Sequence, residues 1–232
     1  MSAFVVTIDG PAGVGKSTVG RRVAAELGLP FVDTGLFYRV LALAAAESHT
    51  EPEAAANLAR GLDIEINTDP RAPEDSWRAR LGSRELGAAL WAPGNSALLA
   101  KIAAQPEVRS VLLPRQRRLG RGGVVAVGRD TGSTVFPEAA CKVYLDAPVE
   151  VRMERRRSEL ARLGMASPDS VVRDDLEERD RRDRTRVAGP LVVPQGALVV
   201  DTTAIPAAEV VARVLQRCRA LGRQPIAPGS DR

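Results

Sequence analysis

The stretch Gly10-Pro11-Ala12-Gly13-Val14-Gly15-Lys16-Ser17 is a Gly-x4-Gly-Lys-Ser pattern. It stands one residue after the apolar run Phe4-Val5-Val6-Thr7-Ile8 and just before a helical-period segment, Thr18 to Leu27. Those residue types at that spacing predict a phosphate-binding loop. Glycines let the backbone curl so that several N–H groups point inward at phosphate oxygens, and the following helix presents its positive end to the same place. Lys16 would reach the β- and γ-phosphates of a nucleotide, and the Ser17 hydroxyl would sit on Mg²⁺.

Three more groups stand out, two of them just after predicted strands, where open parallel sheets bind their ligands, and the third within a predicted helix. Asp33-Thr34-Gly35-Leu36-Phe37-Tyr38-Arg39 sets a carboxylate and a hydroxyl at a helix start. An N-cap by Asp33 or Thr34 explains part of this pattern, but not Arg39, because a cation early in a helix opposes the macrodipole. A bound anion would explain it. Gly128-Arg129-Asp130-Thr131-Gly132 places a guanidinium beside a carboxylate between two glycines. That is either a structural ion pair or a shared ligand site, with Arg129 on a phosphate and Asp130 accepting from an amino group; the flanking glycines favour the ligand. In Glu178-Arg179-Asp180-Arg181-Arg182-Asp183-Arg184-Thr185-Arg186, residues Arg179, Asp183 and Arg186 fall on one helix face, with Arg182 beside them. Arginine is too dense there for its carboxylates to neutralise, so guanidinium forks facing a polyphosphate are the better explanation. For residues 152–178 the charges read as a solvated surface.

The elements that position these groups alternate between strand and helix, which argues for an α/β fold with a parallel sheet covered on both faces. Core strands are expected near 3–8, 30–33, 123–127, 142–146 and 197–201. Helical patterns run at about 16–27, 36–47, 95–119, 148–163, 169–186 and 206–220. Residues 61–86 instead read as two short alternating strands around a turn-rich middle, a small antiparallel insert flanked by Trp77 and Trp91 that would pack it. The tail from Gly222 onward has nothing to bury and should fray.

Composition sets the outer bounds. The chain has 232 residues, 44% hydrophobic and 27% charged, which suits one ordinary soluble domain. Its net charge of +4 is carried mostly by arginine, and an aromatic content of 3% leaves little for stacking on single-stranded nucleic acid. An arginine-rich cleft for phosphate esters fits better than a nucleic-acid partner. Cys141 and Cys218 lie far apart in sequence and outside any metal or redox spacing, as in a reducing compartment, and the lone His49 should be exposed. No signal-peptide pattern or apolar run of membrane length is present in the sequence, so the expectation is a cytoplasmic protein without membrane attachment. With no heptad pattern, a monomer is expected.

Taken together and in this order, the phosphate loop, Asp33-Thr34-Gly35-x-x-Tyr38-Arg39, Gly128-Arg129-Asp130-x-Gly132-x-x-Val135-Phe136-Pro137 and Arg179-Asp180-Arg181-Arg182-Asp183-Arg184-x-Arg186 resemble the bacterial cytidylate kinases. The resemblance spans nearly the whole chain. It implies a P-loop NTPase-type five-stranded parallel sheet with helices on both faces, a nucleoside-monophosphate-binding insert and a helical, arginine-rich lid. The corresponding division is a core of 1–60, 95–150 and 187–222, an insert of about 61–94, a lid region of about 151–186, and a tail of 223–232. The implied activity is ATP-dependent phosphorylation of CMP and dCMP with Mg²⁺. Gly10, Pro11, Ala12, Gly13, Val14, Gly15, Lys16, Ser17 and Thr18 would cradle the ATP phosphates, with Ser17 and, through water, Asp33 on the metal. Arg39, Arg129 and Arg186 would hold the acceptor phosphate. Arg109 and Asp130 would read the cytosine ring, Arg179 and Asp183 would lie near the sugar, and Thr34 and Tyr38 would complete the acceptor site. Lys16, Arg129, Arg182 and Arg186 would neutralise the transferring group.

Two positions depart from the family pattern. Ala100 stands where a serine usually contacts the base, and Val127 where an acidic residue commonly precedes Gly-Arg-Asp. The first keeps open a related kinase with another acceptor such as UMP. A regulatory phosphate-loop NTPase is the other alternative, though the sequence lacks an Asn-Lys-x-Asp guanine-reading element.

Overall fold

Runs of β-branched residues alternating with helical-period segments do fold as a parallel sheet between helix layers. The computed structural model describes residues 3–68, 77–91, 93–162, 164–165 and 167–223. In chain order the first elements are β1 (Val5–Asp9), α1 (Lys16–Leu27), β2 (Phe31–Asp33), α2 (Gly35–Glu47) and α3 (Ala55–Gly61). Next come β3 (Ile64–Thr68), β4 (Trp77–Leu81), β5 (Arg84–Leu86), α4 (Ser96–Ala103) and α5 (Pro106–Arg118). The chain continues through β6 (Val124–Gly128), β7 (Cys141–Asp146), α6 (Val149–Arg162), α7 (Asp169–Thr185), β8 (Leu198–Asp201) and α8 (Ala207–Ala220).

The main sheet has the order β2-β6-β1-β7-β8, and every pair in it is parallel. Because β6 lies between β1 and β2, the carboxyl ends of these three strands are neighbours, and the loops that follow them share one edge. The two faces divide by residue parity. Val6, Ile8, Val125 and Val127 pack with Val19, Val23, Val210 and Val214 of α1 and α8. Val5, Val124 and Ala126 pack with Leu36, Val40, Val108 and Leu112 of α2 and α5. The cysteines distant in sequence both lie in the first of these layers, as buried free thiols. Helix α1 ends in a left-handed Gly28, whose amide and that of Leu29 bond the carbonyls of Ala25 and Ala24, and Pro30 then forces the chain into β2.

Three features differ from the sequence reading. The helix expected over 95–119 is two helices, because Pro106 opens α5 and holds Gln105 extended at ψ 124°. The insert has three antiparallel strands, since Gly82, at φ +57°, turns β4 back into β5. Its inward residues Ile64, Ile66, Ala79 and Leu86 join the α2 layer. Helix α3, a short alanine-rich element, buries Ala55, Ala56 and Ala59 in a stretch without a helical expectation. Most of the turn-rich middle of the insert, the Trp77 side chain and the tail beyond Arg223 lie outside the described residues. Among the described residues no helix is long and apolar enough to cross a membrane, and His49 is exposed as expected.

Phe31 seats α1 on the sheet. It is 1% exposed, and a side chain on Gly20 would run into both Phe31 and Val127. Phe31→Ala is therefore expected to lower the free energy of unfolding by about 3–5 kcal/mol. Urea denaturation measures this, and a loss under about 1 kcal/mol would contradict the packing.

Candidate active site

The loop between β1 and α1 is bent by necessity. Gly10 sits at φ +151°, where a Cβ would strike the Leu145 carbonyl oxygen, and Gly15 caps α1 in the left-handed region. Inside the loop the buried Lys16 Nζ donates to the carbonyls of Gly10 at 2.8 Å and Pro11 at 2.6 Å. Burial first, then the fields of Arg129 and Arg179, hold its pKa well below the usual lysine value, while Asp33 and Asp183 act the other way. The lysine of the phosphate loop thus lies within the field of groups from β2, β6 and α7.

Those groups form one chain of charges. Asp130, past the end of β6, accepts a short hydrogen bond from Arg109 Nη2 of α5, and the pair is almost fully buried. Its second oxygen is 3.3 Å from Arg186 Nη2. Arg186 also reaches Asp183 at 3.3 Å, and Asp183 accepts from Arg129 Nε at 2.8 Å. Burial alone would push the Asp183 carboxyl upward, but Arg129, Arg186 and Arg179 outweigh it and leave its pKa below the ordinary carboxylate value. Burial and the neighbouring Arg129 bring Arg179 down to about 10, so it remains cationic at neutral pH. An arrangement with more guanidinium than carboxylate, next to a phosphate loop, is suited to gripping an anion opposite that loop.

The remaining acceptor-site candidates surround this chain of charges. Tyr38 is buried beneath Arg109, whose guanidinium lies 5.3 Å from the ring centroid. Arg39 sits in the field of Asp33 and Arg129, stacked 4.0 Å above the Trp91 ring of the insert. The Ala12, Val14 and Lys16 side chains are buried, whereas Gly13 and Thr18 are exposed and Ser17 is half-buried beside the loop's mouth. Ser17 and Asp33 contribute a hydroxyl and a carboxylate, hard oxygen donors of the kind Mg²⁺ accepts alongside phosphate and water. Val127 adds no donor there, since its side chain packs toward Gly20 and Phe31.

A family model described as cytidylate kinase matches residues 6–220. The cytidylate kinase of Methylococcus capsulatus is 43% identical over 211 residues, covering 89% of this chain and 93% of that one. That of Aeromonas hydrophila is 42% identical over 92% of this chain and 93% of its own. A bifunctional pantoate ligase/cytidylate kinase from Acaryochloris marina is 37% identical over 90% of this chain, which corresponds to 41% of that longer protein. The chain belongs to the cytidylate kinase family.

Within this cytidylate kinase framework, two candidate residues stand apart from the group. The Arg182 side chain is 41% exposed and turns to Glu178, pairing with its carboxylate at 3.2 Å and donating to its carbonyl at 3.2 Å, although the helix sets it beside the face that carries Arg179 and Asp183. The Thr34 hydroxyl is occupied in the backbone, donating to the Val127 carbonyl at 3.1 Å, and its own carbonyl accepts from Gln116. The helix start is capped instead by Asp33, which accepts from the Gly35 amide at 2.9 Å.

Sequence reasoning passed over Asp9. This fully buried carboxylate accepts from the Thr131 amide at 2.8 Å, the Thr131 hydroxyl at 2.6 Å and the Gly132 amide at 2.8 Å. It pins the π-helical turn of residues 131–135 directly beyond Arg129 and Asp130. Burial raises its pKa despite these bonds. An acid ending an otherwise apolar strand was the available signal. The solvated-surface reading of 152–178 also fails at Arg152, which is 5% exposed and paired with Asp180 at 2.8 Å. Asp9→Ala would strand three buried donors, and we expect a loss of roughly 2–4 kcal/mol in denaturant unfolding. A change below about 0.5 kcal/mol would show that the turn holds itself.

Proposed function

We propose that this protein transfers the γ-phosphoryl group of ATP to the phosphate of CMP or dCMP. The observation that carries this reading is the buried Arg109–Asp130 pair, continuous with the arginines that face Lys16. A carboxylate has about four lone-pair sites, so Asp130 can accept from the N4 amino group of cytosine beside its arginine partners. Uracil presents an oxygen there and would be repelled. Arg39, Arg129 and Arg186 hold the acceptor phosphate, with Arg179 and Asp183 on the sugar side. Residues 1–60, 95–150 and 187–222 act as the core, about 61–94 as the acceptor insert and about 151–186 as the lid.

Chemistry at this site requires alignment and charge neutralisation more than a base, because a phosphate monoester dianion is already nucleophilic. Lys16 and the loop amides orient the donor phosphates, and Arg129 and Arg186 draw the acceptor into line and share the charge that spreads over the transferring group. A magnesium ion held by Ser17 and the Asp33 side would add charge neutralisation on the donor phosphates.

Incubation with Mg-ATP and each nucleoside monophosphate separately, following ADP release, tests the reading. CMP and dCMP should be turned over, with kcat/KM for UMP lower by at least about 100-fold. ADP release that ignores the monophosphate would rule out the kinase. The low pKa of Lys16 in the free protein gives a second expectation. Donor phosphates stabilise its ammonium form and raise that pKa, so at alkaline pH ATP binding should take up a proton. Calorimetry in buffers of different ionisation enthalpy measures the uptake, which should vanish in Lys16→Met; equal uptake in both proteins would assign it elsewhere.

A further inference from the structure

Helix α7 carries a second stripe, set off from the face that bears Arg179, Asp183 and Arg186. Val172, Leu176 and Asp180 repeat at four-residue steps, and each is buried. The first two pack on Ala12 of the phosphate loop, together with Val149, Met153 and Leu160 of α6. The third position of an apolar stripe would normally hold another apolar residue. A carboxylate there must be paired, since an isolated buried charge is strongly unfavourable.

Its partners are the loop itself and α6. Asp180 Oδ1 accepts from the Ala12 amide at 3.3 Å, and Oδ2 pairs with Arg152 Nη1 at 2.8 Å. The same Arg152 nitrogen donates to the Ala12 carbonyl at 3.1 Å, while Arg152 Nε donates to the Ala147 carbonyl at 2.9 Å. Ala12 is therefore held at both its amide and its carbonyl. Next to it Gly13 sits at φ +74°, where a Cβ would lie 3.3 Å from the Arg152 carbonyl oxygen. Of the loop's outer edge, this one residue is fastened to both helices.

We propose that Asp180 and Arg152 are positioning residues that lock the phosphate loop to α6 and α7, and so fix the donor phosphates relative to the acceptor arginines on the neighbouring face of α7. Neither group touches substrate in this account. Their effect passes through Ala12 on one side and through the rigid helix to Arg179, Asp183 and Arg186 on the other. An apolar replacement of the whole pair can preserve the packing, because exchanging a buried ion pair for hydrophobic residues of similar volume is often neutral for stability. It cannot preserve the grip on the Ala12 backbone.

The test is the double variant Arg152→Met with Asp180→Leu, compared with wild type in thermal unfolding, ADP binding, amide hydrogen exchange of the loop and steady-state kinetics. The kinetic part rests on the phosphotransfer reading above; the exchange and ADP measurements do not. We expect a folded protein whose Ala12 and Gly13 amides exchange faster and whose ADP affinity is weaker than wild type. Its kcat should fall roughly 10- to 100-fold while KM for CMP stays within about twofold. Wild-type exchange, ADP affinity and kcat in the folded double variant would overturn the proposal. If wild type itself turns over no monophosphate, the phosphotransfer reading fails, and exchange with ADP binding still decides the role of the pair. Should the double variant not fold, Asp180→Asn, which keeps shape and removes charge, takes its place in the same measurements. Unchanged exchange and kcat there would likewise overturn the proposal.

Discussion

Two carboxylates largely withdrawn from solvent at the carboxyl edge of a parallel sheet are the constraint on which the arrangement of this protein depends. Asp130 is buried and Asp183 half-buried, positions where an ionised group is unfavourable unless matched. Their matching cations come from separate parts of the chain: Arg109 from α5, Arg129 from the end of β6, and Arg186 from just past α7. Each element must therefore arrive at a set place. The break at Pro106 angles α5 so that Arg109, in its first turn, reaches Asp130, and Asp9 holds the turn that follows Asp130. A fault in any of these would leave a buried charge without a partner.

The same requirement gives the site its chemistry. Arginines outnumber carboxylates along the chain of pairs, so the group is internally satisfied yet retains a net attraction for anions. Guanidinium forks suit this role because each nitrogen can serve a different acceptor, as when Arg186 spans Asp130 and Asp183. Lys16 faces the opposite difficulty, since it is buried among cations and held by two backbone carbonyls. A nucleotide's phosphates would relieve that repulsion and the acceptor's phosphate would draw on the arginines, so the two substrates complement a charge imbalance already built into the fold.

Much of this was legible in the sequence, and the omissions have physical causes. The five parallel strands and the phosphate loop follow from apolar runs and glycine spacing, which act locally, and the motifs after β2 and β6 mark the edge where ligands gather. Side-chain destinations are less local. Arg182 and Arg179 look alike in a run of arginines and stand only about 60° apart around the helix, so it is the pairing with Glu178 that holds Arg182 at the solvent edge while Arg179 lies in the field of Arg129 and Asp183. Thr34 carries an ordinary active-site residue type, and only the pairing of β2 with β6 spends its hydroxyl on Val127. Arg152 and Asp180 sit in charge-rich segments whose average is solvated, and 28 residues separate two groups that meet only when α6 and α7 pack on Ala12. Short elements such as α3 and β5 depend on what they cover, so their own residues signal them weakly.

At the centre of this account, Asp130 belongs both to the buried arginine chain and to the base of the acceptor. A crystal structure of the protein with CMP tests this most directly. The account predicts the cytosine N4 nitrogen within about 2.7–3.2 Å of an Asp130 carboxylate oxygen, with the phosphate against Arg39, Arg129 and Arg186. A base bound elsewhere, with the Arg109–Asp130 pair untouched beneath it, would contradict it.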